Sequence, residues 1–387
     1  MKYLEVFFTA LRLGLTSFGG PMAHLAFFHE EYVKRKKWIS EQAYADLVAL
    51  CQFLPGPASS QVGMAIGLHR AGIPGSFLSW VGFTVPSAII LVFFGFGMTL
   101  IDSMTSALWI HGLKISAVSV VAHAVFGMAK KLCPDRVRAT IAIISSVLVL
   151  LFNSIFVQVF VLGIFGLYGA YFLKNSNVLP HEPLKSCSSK IGIISLTLFF
   201  GLLILLPSLR PISQTFRLFD SFYRTGALVF GGGHVVLPLL QSEVIPAGWI
   251  SNDLFMAGYG AANAIPGPLF AFSAYVGAVS SESPNGWTGA IICLIASFLP
   301  AFLIVLGVLP YWEKIRNIPK IRQSMFGLNA SVVGLLLAAL YHPVWTSAIF
   351  TLKDFALALL GFLLLEIWKF QSWMIVLTTV VLSLILF

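Results

Sequence analysis

Pro55-Gly56-Pro57 and the turn after it, Ala58-Ser59-Ser60-Gln61, place two hydroxyls and an amide where a broken chain restarts as a helix. The first proline ends the incoming helix, because it lacks an N–H donor and clashes with the preceding turn. The glycine accepts the bend, and Pro57 is pre-set for the first position of the next helix. That helix opens with unbonded N–H groups and a positive dipole end of about half a charge, which suits an anion. The turn recurs as Pro266-Gly267-Pro268, but there it leads into Leu269-Phe270-Ala271, which offer no polar side chain. A site built on both turns is therefore expected to be asymmetric, with the first supplying more of the ligand contacts. Gln52 and Asn263 stand at matching places just before the two turns.

A second kind of break is also duplicated. Ser17-Phe18-Gly19-Gly20-Pro21 corresponds to Val229-Phe230-Gly231-Gly232-Gly233, followed by His234. Paired glycines allow positive φ and close backbone approach, although close helix packing is an alternative use for them. The spacing is not a dinucleotide fingerprint, and no βαβ context surrounds it. Arg12 and Arg224 lie six residues before the two Phe-Gly-Gly runs. A charge inside an apolar segment is costly and marks a functional position by default. Two guanidinium forks beside helix N-termini would suit a compact dianion, while snorkelling to the interface is the structural alternative for Arg12. The expected binding residues are thus Arg12, Ser17, Gly19, Gly20, Gln52, Pro55, Gly56, Pro57, Ser59, Ser60, Gln61, Arg224, Gly231, Gly232, His234, Asn263 and Gly267. Glu31, Glu243 and Asp46 are candidates for carrying coupled protons, with a solvated pairing the alternative for Glu31 beside Glu30 and a basic cluster. The remaining histidines, His24, His69, His111 and His123, are scattered and read as core or interfacial. No catalytic residue, metal site or cofactor is expected, because no convergent acid, base or H-E-x-x-H spacing exists.

The elements that must position these residues are set by composition. Of 387 residues, 58% are hydrophobic and 10% charged, against about 25% charged in a soluble domain. Too few charges remain to coat a water-facing surface, so most of this surface must meet lipid. The apolar runs are long and do not alternate, which favours helices over a β-barrel. No small-residue cleavage site closes the first apolar stretch, and the four cysteines lack metal-ligand spacing. The net charge of +9 sits in short clusters between apolar runs, the pattern of topology signals rather than of a nucleic-acid surface.

Aligning the copies pairs Glu31 with Glu243, Trp38-Ile39-Ser40 with Trp249-Ile250-Ser251, and Pro86 with Pro300. Repeat one covers 1–174 and repeat two 213–387, joined over 175–212 by a polar stretch and one apolar span, Ile191–Leu206. The loops differ in charge. Lys34-Arg35-Lys36-Lys37 answers Val244–Gly248, which carries no positive charge, while Lys314, Arg316, Lys320 and Arg322 answer Met98–Ile110, which also carries none. Positive loops face the cytoplasm, so equivalent loops lie on opposite sides and the repeats are predicted to be inverted. Ser40–Phe53 and Pro57–Leu68 are short for crossings of about 20 residues, which predicts re-entrant hairpins with full crossing as the alternative. Full spans are predicted near 75–97, 110–130, 138–153 and 155–173, then near 288–309, 323–341, 354–368 and 371–386. The architecture expected is an all-α polytopic membrane protein with two inverted-topology repeats and broken helical hairpins.

Leu11–Leu25 (L-R-L-G-L-T-S-F-G-G-P-M-A-H-L) and Asp46–Gly63 (D-L-V-A-L-C-Q-F-L-P-G-P-A-S-S-Q-V-G) resemble signatures of the chromate transporter family. Phe230–Pro238 and Ala262–Pro268 resemble the C-terminal half of its long, two-domain members. The resemblance implies a bacterial inner-membrane protein that exports chromate by a secondary mechanism, confers chromate resistance, and is related to sulfate handling. It implies no enzymatic activity. Sulfate or other oxyanion exchange, or a gated anion channel, are the alternatives. The partners expected are a chromate- or sulfate-like oxyanion, the lipid bilayer, and a proton or counter-anion. No nucleic acid is expected, a homodimer is left open, and the N-terminus is placed in the cytoplasm.

Overall fold

The computed structural model describes residues 2–18, 20–100, 103–152, 155–173, 186–229, 236–315 and 318–386. The described residues contain helices and no strand. Five of the helices are long and apolar enough to cross a bilayer, and the chain is an all-α, multi-pass membrane protein.

The first half begins with α1 (Lys2–Thr16) and α2 (Gly20–Phe28), which widens into a π-helical turn over His29–Arg35. Glu5 meets Lys36 at 3.5 Å and Arg12 meets Glu31 at 3.8 Å, so the chain after α2 comes back beside α1. Next come α3 (Glu41–Phe53) and α4 (Ala58–Leu100). The sequence predicts an arm ending at Leu68 and a separate span beginning near residue 75. The structure runs these together but reverses direction at Ala71 (φ −142°) and Gly72 (φ 69°). The two arms of α4 then lie side by side: Ser79 Oγ donates to the Gly63 carbonyl at 2.8 Å, and Gly67 and Gly75 are in backbone contact. Only residues without a Cβ permit that approach. The half closes with α5 (Ser103–Leu132), α6 (Arg136–Phe152) and α7 (Ile155–Phe172), and α8 (Ser189–Leu209) forms the linking span.

The same order returns as α9 (Gln214–Leu228), α10 (Val236–Val244), α11 (Asn252–Ala264), α12 (Phe272–Ala278), α13 (Gly286–Val308), the short α14 (Trp312–Ile315), α15 (Pro319–Ala339), α16 (Leu352–Glu366) and α17 (Ser372–Leu386). Ser40 and Ser251 cap α3 and α11 through the N–H groups of Ala43 and Leu254, the cap chemistry expected of serine. His29 meets Glu41 at 2.6 Å, and at matching positions Gln241 donates to Asn252 at 2.8 Å. The backbone contact of Gly67 with Gly75 is repeated by Gly277 with Gly289. Tyr275 packs over Gly258 and donates to the Leu254 carbonyl at 2.8 Å, so α12 returns along α11 as a helical hairpin.

The orientation of the halves follows from ring contacts. Trp80 of the second α4 arm meets Phe298 of α13 at 5.7 Å, while Phe93 and Phe96 meet Trp287 at 5.6 and 5.8 Å. Residue numbers rise along one helix as they fall along the other, so these equivalent helices are antiparallel, as inverted repeats require. The halves also exchange their last helices. α6 and α7 pack on α15, where Gly334 faces Ala142 and Gly327 faces Phe165; α16 and α17 pack on α5, where Gly361 faces Ser119 and Gly112 faces Val380. α5 is further fixed by His111 to Asp354 (2.6 Å) and Lys114 to Asp253 (2.5 Å).

Cysteine probes at Lys36 and at Pro246 are expected to react from opposite sides of the membrane once Cys133 and Cys187, the two native thiols that are only half-buried, have been replaced. Reaction of both from one side would overturn the inverted arrangement.

Candidate functional site

The two P-G-P turns are built alike. Leu54 and Ile265 leave their helices in extended conformation (ψ 149° and 141°), as residues before proline must. Gly56 (φ 120°) and Gly267 (φ 102°) then take backbone angles that only glycine adopts at low cost. Each glycine N–H reaches across to the other half. Gly56 N donates to the Val229 carbonyl at 2.6 Å, and Gly267 N donates to the Ser17 carbonyl at 2.9 Å. Val229 and Ser17 hold equivalent positions, immediately before the two Phe-Gly-Gly breaks. Each P-G-P turn is therefore bonded to the residue that precedes the Phe-Gly-Gly run of the opposite half.

The side chains at the two turns differ. In α4 the first intrahelical bond runs from Gln61 N to the Pro57 carbonyl at 2.9 Å, which leaves the N–H groups of Ala58, Ser59 and Ser60 ahead of the ladder. Ser59, Ser60 and Gln61 are all buried. Gln61 Nε2 donates to the Pro55 carbonyl at 2.7 Å, bracing the turn. Ser59 Oγ lies 3.3 Å from His24 Nδ1. Ser60 Oγ, Gln61 Oε1, Ser17 Oγ and Thr84 Oγ1 are buried without a hydrogen-bond partner. Leaving such a group unmade costs roughly 1–3 kcal/mol, so the neighbouring Ser60 and Gln61 mark a turn shaped for something other than packing. At the second turn Leu269–Ala271 form a buried 3-10 turn, Phe270 packs on Phe298 at 5.8 Å and Phe272 on Phe255 at 5.1 Å. The residues that follow the first turn are polar and partly unsatisfied; those that follow the second are apolar, and the polar groups beside Gly267 come from Ser17 and Ser87.

The family model for chromate transporters matches residues 4–170 and 216–384, almost the whole of both halves. The chain belongs to the chromate transporter family. It is 28% identical over 341 residues to an uncharacterised transporter of Methanocaldococcus jannaschii, covering 87% of this chain and 83% of that one. It is 26% identical over 375 residues to a probable chromate transport protein of Synechococcus elongatus, covering 95% and 90%. A chromate transport protein of Pseudomonas aeruginosa is 24% identical over 338 residues, covering 87% and 80%. No solved structure matches the chain.

In this chromate transporter family member the two arginines singled out by sequence are held by carboxylates. The Arg12 side chain is 58% exposed and lies 3.8 Å from Glu31, which Arg35 also approaches at 3.0 Å. Arg224 is more enclosed, at 19%, and donates to Asp220 at 2.5 Å. Asp220 also meets Arg210 of the α8 end at 2.5 Å, and Arg210 and Ser221 both donate to Glu243 at 2.6 Å. Glu31 and Glu243 thus occupy matching ion-pair positions, and Asp46 is buried in α3. Gln52 and Asn263 are half-buried, and Asn263 turns back onto the Tyr259 carbonyl at 2.7 Å. Gly20 opens α2 at φ 79°. Gly19, Gly231, Gly232 and His234 lie outside the described residues.

Sequence reasoning missed His24, Thr84, Ser87, Arg210 and Asp220. Thr84 and Ser87 flank Pro86 in an otherwise apolar run, a polar pair around a helix breaker that a reader could have marked. Asp220 stands four residues before Arg224, the spacing at which helix neighbours pair. His24 has no such signal, because only the fold brings it to Ser59.

Proposed function

We propose that this protein carries chromate, a tetrahedral dianion, outward across the inner membrane by a secondary mechanism and so confers chromate resistance. The observation that supports this reading most is the first P-G-P turn, where a half-helix begins at 58–60, ahead of its hydrogen-bond ladder, with the buried Ser60 hydroxyl and Gln61 carbonyl oxygen left without partners. Such a half-helix end inside a membrane attracts anionic groups in transporters built from inverted repeats. The proposed ligands are the N–H groups of 58–60 with Ser59 and Ser60, and Ser17, Gly19 and Gly20 from the first-half break, which is bonded to the second turn. Gln61, Pro55, Gly56 and Pro57 shape the turn, while Gln52, Asn263, Gly231, Gly232, His234 and Gly267 frame the site. Arg12 and Arg224 raise the local positive potential from within their ion pairs, and Arg224, the more enclosed, matters more. Glu31, Asp46 and Glu243 are the proposed proton carriers. Domain boundaries at 1–174 and 213–387, with a 175–212 linker, let one hairpin set rock against the other. With the N-terminus in the cytoplasm, an inside-negative potential favours dianion exit by about 2.3 kcal/mol per charge per 100 mV.

Uptake of labelled chromate into inverted proteoliposomes, with sulfate as competitor and with the pH gradient and potential varied separately, tests the reading. Arg224→Gln is expected to lower flux roughly tenfold or more, as loss of a charge-assisted contact would, and Arg12→Gln by a smaller factor. Absence of saturable chromate flux under every gradient would sink the transport reading; equal flux in both variants and the parent would remove the arginines from the site.

A further inference from the structure

A cavity with basic side chains in its wall lies away from the P-G-P turns. It has a volume of about 580 Å³ and is lined by Lys2, Tyr3, His69, Arg70, Gly72 and Ser186, among others. Arg70 ends the first arm of α4, about 18 Å along the helix from Ala58 at 1.5 Å per residue. The cavity therefore sits at the mouth of the first hairpin, where α1 begins and α4 reverses.

Its electrostatics are one-sided. Arg70 Nη2 donates to Glu5 at 3.1 Å, its guanidinium lies 5.2 Å from the Trp38 ring centre, and its Nε is buried with no hydrogen-bond partner. Lys36 meets the other Glu5 oxygen at 3.5 Å and also lies over Trp38 at 5.8 Å. Glu5 is thus shared by two cations, and Lys2 adds a third positive charge at the cavity wall. Trp38 fixes Arg70 from one face by cation–π attraction, so its positive charge stays at the cavity it lines instead of trailing into solvent.

The surroundings are apolar. Tyr3 lines the cavity, and the large exposed hydrophobics Leu4 and Phe8 on α1 and Phe77 on the second α4 arm follow its lining residues by no more than five positions in the chain. A free inorganic oxyanion asks for charge alone. A phospholipid asks for a cationic pocket at the membrane surface with apolar surface next to it for its chains.

We propose that this cavity binds the phosphate headgroup of an acidic phospholipid, with Lys2 and Arg70 on the phosphate and the acyl chains along Phe8 and Phe77. Binding there joins the start of α1 to the α4 reversal, the two elements at the base of the first hairpin. The site is independent of which ion the protein carries.

Native mass spectrometry of the purified full-length protein, mixed with phosphatidylglycerol or phosphatidylcholine in detergent, tests this. The parent protein is expected to retain one phosphatidylglycerol under conditions that strip phosphatidylcholine. Lys2→Gln/Arg70→Gln is expected to weaken that retention roughly tenfold or more, since each basic side chain near an anionic surface contributes about a fivefold factor. Lys2→Gln/His69→Gln leaves the Glu5–Arg70 bond in place and is expected to weaken it too, which separates headgroup binding from damage to the hairpin. Equal retention of the two lipids, unchanged retention in both variants, or displacement of the lipid by millimolar inorganic phosphate would each overturn the assignment.

Discussion

Ser60→Ala is expected to lower oxyanion flux by roughly 10- to 100-fold, the equivalent of one hydrogen bond to a charged group at about 1.5–3 kcal/mol. It is also expected to leave thermal stability unchanged or slightly raised. The two effects part because Ser60 Oγ is buried without a partner. Removing an unsatisfied hydroxyl relieves a desolvation cost, while a bound dianion loses a donor. Ser59 is shared with His24 at 3.3 Å, so Ser59→Ala should cost less flux, and the double variant more than either. The apolar turn should behave in the opposite way. Phe270 is fully buried against Phe298, and Phe270→Ala should cost about 3–5 kcal/mol of stability by leaving a cavity, with flux per inserted molecule largely kept. The measurement is chromate flux normalised to membrane-inserted protein, set beside the unfolding temperature. Equal flux losses at the two turns would refute the division of labour between them.

Gly267→Ala should disable the protein more severely than Gly56→Ala. A Cβ on Gly267 would stand 2.5 Å from Ser87 Oγ and 3.3 Å from the Gly14 carbonyl, whereas on Gly56 the nearest atom, at 2.8 Å, is the amide nitrogen of Gln61. Both substitutions meet an unfavourable φ, which costs about 1–3 kcal/mol. At Gly56 the clashing atom is the far end of a flexible side chain, whereas at Gly267 it is on the short side chain of Ser87, with the Gly14 carbonyl close behind, so the strain falls more on the turn and its bond to the Ser17 carbonyl. We expect Gly267→Ala to lower flux by roughly tenfold or more, in line with that strain, and Ser87→Gly in the same chain to recover part of it by emptying the space. A double-mutant cycle checks the coupling, since residues in contact are non-additive. Strict additivity of the two changes would show that the crossed contact does not limit function.

The crossed bonds also explain why these glycines matter in pairs. Each P-G-P turn is held by the opposite half, through Val229 for the first and Ser17 for the second. A hairpin that moved would have to exchange this bond, because a backbone donor stranded in a membrane interior is costly. The turn that carries the unpartnered hydroxyls is therefore positioned by a residue of the other repeat.

The sequence by itself determined the solvent, the helices and their order. Solvent follows from the shortage of charge, and the spans follow from apolar length. Prolines and glycines mark where helices stop, so predicted spans such as 288–309 and 354–368 fall within two residues of α13 (Gly286–Val308) and α16 (Leu352–Glu366). The unequal turns after the two P-G-P motifs were legible for the same reason: side-chain polarity is a local property. What only the tertiary structure decided concerns pairs of residues far apart in the chain. The reversal of α4 at Gly72 and the exchange of final helices between the halves depend on close packing at small residues, and many of the chain's 33 glycines make no such contact. The pairing of Arg12 with Glu31, and of Arg224 and Arg210 with Asp220, likewise appeared only in three dimensions. An isolated arginine in an apolar segment reads as a free cation until the fold brings it a carboxylate, and the cost of burying charge in lipid ensures that the fold does so.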